Sequence, residues 1–187
     1  MAKNDTTSAI VDGILKSAVI TGGISMALIA PNIIKYLDPA TKKFLKNLDE
    51  RSKEREIRRC LVYALRESLI TEHYQHGIEI SKKGQRRLKK AEYNGLVINN
   101  TNKWDNSWRL VFFDIPALKN KNRAQFTRKL RQLGFQPLQQ SIWIIPYECK
   151  NEVGFVTETL GISKFVTYIT TNHIDHEDHL KKRFSLR

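Results

Sequence analysis

The 187-residue chain contains only two cysteines, Cys60 and Cys149. Two isolated thiols cannot build a disulfide framework, and neither sits in a Cys-x-x-Cys pair, which excludes a stapled secreted miniprotein and a zinc ribbon. Both are expected to be ordinary buried thiols. Glycine (9) and proline (5) are scarce, which excludes collagen-like and low-complexity chains. Long apolar runs are also missing. The longest stretch without a charged residue is the 18 positions between Lys16 and Lys35, at the lower limit for a membrane span. Thr21, Gly22, Gly23, Ser25, Pro31 and Asn32 interrupt it, so two short buried helices, about residues 8–21 and 25–32, are expected in place of a span. The start, Ala2-Lys3-Asn4-Asp5-Thr6-Thr7, is no basic leader feeding an apolar core, so the expected location is cytoplasmic.

Acidic residues are the other shortage: 19 against 32 lysines and arginines, a formal net charge of +13. The excess is concentrated. Residues 51–100 carry twelve basic and six acidic groups, and residues 101–150 carry nine and three, whereas 1–50 and 151–187 are near balance. A solubilising charge has no reason to cluster in this way, and a basic band of this kind points to an anionic partner, nucleic acid first.

Asp38-Pro39 reads as an N-cap followed by proline at the first helical position. That helix runs to about Leu48, and a second runs from about Ser52 to Ser68. At ~100° per residue, Ile57, Cys60, Leu61, Ala64 and Leu65 form the apolar back of the second helix, and Arg55, Arg58, Arg59, Val62 and Arg66 its front. Arginine grips phosphates and reads guanine edges in pairs, so this face is a candidate major-groove element. Leu69–Tyr74 and Ile78–Ile80 alternate as the strands of a hairpin turning at Gln75-His76-Gly77. Ser81 then caps a helix loaded with Lys82, Lys83, Arg86, Arg87, Lys89 and Lys90, which suit backbone phosphate contacts. Helix, helix, hairpin, helix is the order of a winged helix-turn-helix module.

Residues 99–107 read as a polar linker. Arg109–Phe113 is an apolar strand, Lys119–Leu133 a helix ended by Gly134, Phe135–Gln139 and Ser141–Ile145 strands, Asn151–Leu160 a helix, and Phe165–Asn172 a last strand. The order βαββαβ is that of a ferredoxin-like domain, with both helices on one face of a four-stranded antiparallel sheet. The other face then needs a cover, from a partner copy or from the N-terminal half. The expected fold class is α+β: a helical, winged-helix domain at 1–98, a linker at 99–107, and a ferredoxin-like dimerisation domain at 108–187 with a polar C-terminal tail.

The run Trp108–Pro116, then Arg123, Arg128–Phe135, Leu138–Trp143 and Pro146, resembles the central domain of PaaX-type transcriptional repressors. That domain is itself similar to the small CRISPR-associated endonuclease of the spacer-acquisition complex. The resemblance spans about residues 104–174. It extends more weakly over 38–98, with Ile80–Leu88 at the wing-to-helix junction. It implies a homodimer built on the ferredoxin-like domain, with Gln139, Ser141 and Trp143 on the dimer-side strand, and DNA binding by the N-terminal module. It also implies that Asp114, ending the first strand, stands where the endonucleases place their catalytic, metal-linked carboxylate, one from each subunit. Arg109 and Arg123 become phosphate contacts or partners of Asp114.

The expected function is sequence-specific binding of double-stranded DNA as a homodimeric transcriptional repressor, needing no cofactor and with no small-molecule effector identifiable. Arg55, Arg58, Arg59 and Arg66 would read or grip the groove, and Lys82, Lys83, Arg86 and Arg87 would hold the backbone. One alternative is a Mg²⁺- or Mn²⁺-dependent endonuclease, or a nuclease-derived component of a CRISPR or toxin system, with Asp114 catalytic. Another is membrane attachment through residues 17–34. The alternative to Asp114 as a catalyst is a capping role. His173, His176 and His179, among three acids, form the one His/carboxylate cluster, and a polar C-terminal segment is the simpler reading of it. Trp104, Trp108 and Trp143 are expected to pack linker and core.

Overall fold

A computed structural model describes residues 3–21, 33–73, 77–99 and 104–186. The chain is a mixed helix-and-sheet protein that divides into two compact units, Met1–Asn94 and Gly95–Arg187.

The first unit is assembled on helix α1 (Lys3–Thr21). It starts earlier than the sequence pattern suggests, because Asn4-Asp5-Thr6-Thr7 continues the helix and buries Thr6. Ile10, Val11, Ile14, Leu15 and Ala18 form its buried stripe. The second helix expected in the apolar N-terminal stretch, about 25–32, lies outside the described residues. Among those described, no helix is long and apolar enough to cross a membrane.

Asp38 caps α2 (Pro39–Lys46), its carboxylate accepting the Thr41 amide at 3.0 Å. Asn47-Leu48-Asp49 turns the chain into α3 (Glu50–Arg66), where Asp49 accepts the Ser52 amide at 2.7 Å. The cap is therefore Asp49, and the helix gains Glu50 and Arg51 relative to a start at Ser52. Ile57, Cys60, Leu61 and Ala64 of α3 join α1 in one core with Leu45, Leu69, Ile70, Ile78 and Leu88.

Strands β1 (Ile70–His73) and β2 (Gly77–Ile80) pair antiparallel from Ile70↔Ile80 to His73↔Gly77. The hairpin tip, including Gln75 and His76, lies outside the described residues. Helix α4 (Lys82–Gly95) is fastened to the hairpin by one serine and one glycine. The Ser81 hydroxyl lies 2.6 Å from the Ser68 carbonyl and accepts the Gly84 amide at 3.0 Å, and the Ser81 amide donates to the Leu69 carbonyl at 3.0 Å. Gly84 is buried so close to β1 that an added Cβ would sit 2.1 Å from the Leu69 carbonyl oxygen.

The second unit runs β3 (Trp108–Phe113), α5 (Asn120–Gln132), β4 (Gln136–Gln139), β5 (Ile142–Ile145), α6 (Lys150–Thr159) and β6 (Val166–Thr171), then α7 (Glu177–Arg183). The strands form an antiparallel sheet of order β4-β5-β3-β6. Helix α5 ends at Gly134, whose φ of +91° suits glycine after a helix C-terminus. Strand alternation divides the sheet. Val111, Phe113, Trp143 and Ile145 take one face, where Phe113 meets Phe126 of α5 edge-on at 5.3 Å.

The opposite face does not wait for a partner along its whole length. The segment expected to be a polar tail folds as α7, and its Leu180 packs with Trp108, Leu110 and Ile144, flanked by Trp104, Ile174 and Phe184. The Trp108 indole N–H donates to Glu177 at 3.1 Å, and Lys181 lies over the Trp104 ring. The apolar pair Leu180/Phe184, four residues apart on a helix, provides the reason.

Arg109 is the electrostatic anchor of this unit. Its side chain is 5% exposed, and its guanidinium binds Asp105 through two nitrogens, Glu148 at 3.2 Å and the Pro146 carbonyl at 3.0 Å. It pairs with neither Asp114 nor solvent and is not a free phosphate contact, which corrects the sequence expectation. The expected polar linker therefore ends in a structural clamp.

Two predictions follow from these anchors. Gly84→Ala forces a methyl against backbone, and should destabilise the protein by about 1–3 kcal/mol in urea unfolding. The Arg109 hydrogen bond holds the Asp105 carboxyl below its ordinary range. Burial pushes Glu148 up, but the Lys150 amide and Arg109 overcome this and hold it below its ordinary range too. Both folded pKa values are depressed, so the clamp's contribution is complete above the ordinary values of 3.8 and 4.5 and is lost as pH falls below them. Arg109→Ala should cost about 1–3 kcal/mol at neutral pH, because the Asp105 and Glu148 carboxylates it leaves behind are solvated, and should flatten the acid limb of stability against pH.

Candidate nucleic-acid interface

Three of the four arginines assigned to the front of α3 carry local partners. Arg55 donates to the Ser52 hydroxyl at 3.1 Å, and Arg58 pairs with Glu54 at 3.3 Å. Arg59 pairs with Glu56 and donates to Thr7 of α1 at 3.0 Å. Arg66 is exposed with no hydrogen bond or ion pair among the described residues. The earlier start of α3 adds Arg51 to the same front, also exposed and unpaired. The signal for it was Asp49-x-x-Ser52, a capping spacing one turn before the expected start. Val62, 57% exposed, sits among these cations.

The cations after Ser81 separate into two groups. Arg87 is structural: its guanidinium bonds Asp12 at 2.8 Å and the Ser8 hydroxyl at 3.0 Å, tying α4 to α1. Lys83 donates to the Glu67 carbonyl at 2.7 Å and lies 3.5 Å from its carboxylate, tying α4 to the end of α3. Lys82 and Arg86 are exposed with no partner among the described residues, as are Lys89 and Lys90. Among the described residues, the free cations of α3 and α4 are thus Arg51, Arg66, Lys82, Arg86, Lys89 and Lys90. They lie on two helices joined by the Ser81–Gly84 fastening. The acid-paired arginines beside them are exposed, and surface pairs of this kind are worth only about 0.2–1 kcal/mol, so a phosphate can displace the carboxylate.

Asp114 follows β3 and is exposed. Its amide donates to the Phe165 carbonyl at 3.0 Å, and its carboxylate has no hydrogen bond or ion pair among the described residues. It caps nothing: the short turn at Ala117–Lys119 and α5 both start without a side-chain cap. It lines an open cavity of about 480 Å³ with Phe112, Ile142, Ser141, Lys164 and Thr167, at the end of the sheet face. Phe112 and Ile142 are half-buried there and Ile169 is 42% exposed. Gln139 is exposed on edge strand β4, and the Ser141 carbonyl accepts the Phe113 amide at 3.1 Å. Trp143 instead lies in the chain's own core, 2% exposed beneath Arg131.

A Mg²⁺ ion takes about six oxygen ligands, commonly one or two carboxylates with waters and substrate phosphates making up the rest. Among the described residues no three His, Cys, Asp or Glu side chains converge, either at Asp114 or at His173, His176 and His179. Cys60 and Cys149 are buried, and burial pushes their thiols up to about 11 and about 12, so neither is a ready nucleophile.

Residues 101–182 match the family described as the PaaX protein central Cas2-like domain. No curated protein matches the chain. Among solved structures, "Uncharacterized protein Rv0674 from Mycobacterium tuberculosis" is similar at 12% identity with a TM-score of 0.36. That similarity covers 91% of this chain and 63% of the other, so this chain spans less than two thirds of that protein's length.

Asp114→Ala should leave the unfolding midpoint within about 0.5 kcal/mol of the parent, as for other surface substitutions outside a network. It should also leave DNA affinity in chelator unchanged, as measured by fluorescence anisotropy.

Proposed function

We propose that this chain, whose second unit is of the PaaX type with a Cas2-like central domain, is a homodimeric repressor of transcription that binds double-stranded DNA through its first unit. The observation that carries the reading is the set of unpaired cations on α3 and α4, held in fixed relation by the Ser81–Gly84 fastening. The order of α2, α3, hairpin and α4 supports a winged helix-turn-helix module, with α3 as the groove-reading helix and the β1–β2 hairpin as the wing. The strand order β4-β5-β3-β6, with α5 and α6 as crossovers, supports a ferredoxin-like second unit.

Dimerisation has a place in this reading. The end of the sheet face that α7 leaves uncovered, with Phe112, Ile142 and Ile169 beside Ser141 and Gln139, is the surface a second copy would cover. A dimer presents two α3 helices to two half-sites, which makes a two-fold symmetric operator the natural target.

The test is capture of sheared genomic DNA on the purified chain, in chelator and at near-physiological salt, with sequencing of what is retained. A few sharp peaks sharing a palindrome are the expected result; a flat profile overturns the reading. On the recovered site, Arg59→Ala with Arg66→Ala should remove preference over random DNA, each lost base contact costing about 1–3 kcal/mol. Lys82→Ala and Arg86→Ala should weaken all sequences alike, each lowering the slope of log K against log[salt] by about 1.

A further inference from the structure

The proposed function uses the cations of the first unit and leaves those of residues 101–150 without a role. Helix α5, Asn-Lys-Asn-Arg-Ala-Gln-Phe-Thr-Arg-Lys-Leu-Arg-Gln, holds five basic residues and no acidic one. In α3, by contrast, glutamates one turn away answer Arg58 and Arg59. The acids of 101–150 are not available to α5: Asp105 and Glu148 are both taken by Arg109, and Asp114 stands unpaired at the cavity. Two of the five basic residues are absorbed by packing, Lys129 being 2% exposed and Arg123 lying over the Phe113 ring at 5.9 Å.

The other three, Lys121, Arg128 and Arg131, are exposed, and none has an ion pair among the described residues. Lys121, Gln125, Arg128 and Gln132 follow the i, i+4, i+7, i+11 spacing of one helix face. Arg131 stands beside them, positioned over the Trp143 ring at 5.3 Å, a contact that orients the guanidinium without neutralising it. This arrangement works against the helix itself. Lys121 sits in a first turn that has no acid and no side-chain cap, where the helix dipole disfavours a cation. An acid-free cationic face with amides interleaved is what a phosphate backbone requires, since arginine, lysine and glutamine all donate to phosphate oxygens. Within α5 no large apolar residue is exposed, and a lone exposed leucine, Leu118 in the turn before it, falls short of the apolar face with which an interfacial helix enters a bilayer.

We infer that Lys121, Arg128 and Arg131 of α5 form a second, sequence-independent contact surface for duplex DNA in the second unit. The choice of DNA as the polyanion rests on the proposed function; the free cationic face does not.

The test is binding of a random-sequence duplex by the full chain across a salt series, comparing the parent with Lys121→Ala/Arg128→Ala/Arg131→Ala. Lys182→Ala/Arg183→Ala on α7 serves as a charge control. The three positions are exposed, and equal unfolding midpoints establish that the variant folds. The expected result is a slope of log K against log[salt] lower by about 2–3 and an affinity roughly 10-fold or more weaker at moderate salt, with the control losing less. Unchanged slope in the triple variant overturns the inference, as does an equal loss per charge in the control. A preference for an RNA duplex of the same length, or loss confined to phosphatidylserine vesicles, overturns DNA as the occupant. The two proposals fail separately. If genomic capture is flat while the triple variant loses slope, the α5 surface stands and the repressor reading falls. If capture gives a palindrome and the triple variant is unaffected, the reverse holds.

Discussion

Thirty-two cations and nineteen carboxylates share this chain, and where the carboxylates go decides which faces stay positive. Asp12 goes to Arg87, Glu54 and Glu56 to Arg58 and Arg59, Glu67 to Lys83, and Asp105 and Glu148 to Arg109. Some of these pairs hold elements together: Arg87 binds α4 to α1, and Arg109 binds the start of β3 to the end of β5. In the second unit that allocation takes the acids nearest the sheet's base and leaves α5 with none. The positive faces are therefore a remainder fixed by the fold, and their location carries more information than the total charge.

The cationic helices are useful only because they are held rigidly. Helix α4 approaches the hairpin to backbone contact at Gly84, and the Ser81 hydroxyl serves both the Ser68 carbonyl after α3 and the Gly84 amide in the first turn of α4. Lys83, reaching back to Glu67, adds a third tie at the same place. A site built on such a junction presents its side chains from secondary structure and not from a loose loop, and so keeps the spacing of α3 and α4 constant as phosphates arrive.

Much of this was legible in the sequence where a local rule applied. Asp38-Pro39, the Ser81 cap, Gly134 and the continuous apolar run of Arg109–Phe113 each depend on neighbours a few residues apart, and the structure has those elements. The misses come from long-range partners. Arg109 looks like any basic residue at a strand start; only the return of Pro146 and Glu148 along β5 buries it. Arg87 belongs to a run of six cations, and nothing within ten residues marks it as the one that reaches Asp12. The C-terminal histidines and acids drew attention from Leu180 and Phe184, whose four-residue spacing was the better signal. For the free cations the sequence marked the helix and its face correctly but not which members of the face were already engaged.

The acid partners on α3 bear on specificity as well as affinity. An exposed Arg–Glu pair one turn apart is worth only a few tenths of a kcal/mol, so handing the arginine to a phosphate or a guanine edge sacrifices little. The glutamate left behind remains near the duplex. In a correct register it would face solvent or a cytosine amino group, whereas in a wrong register it would face phosphate and repel. On the proposed reading, Glu54 and Glu56 would act against non-specific binding at the helix that reads sequence. Helix α5, with no acid at all, has no such discrimination and would grip any duplex. If both proposals hold, one guarded cationic helix and one unguarded helix would separate the two tasks of a DNA-binding protein, holding on to DNA of any sequence and stopping at one sequence, and assign them to different units.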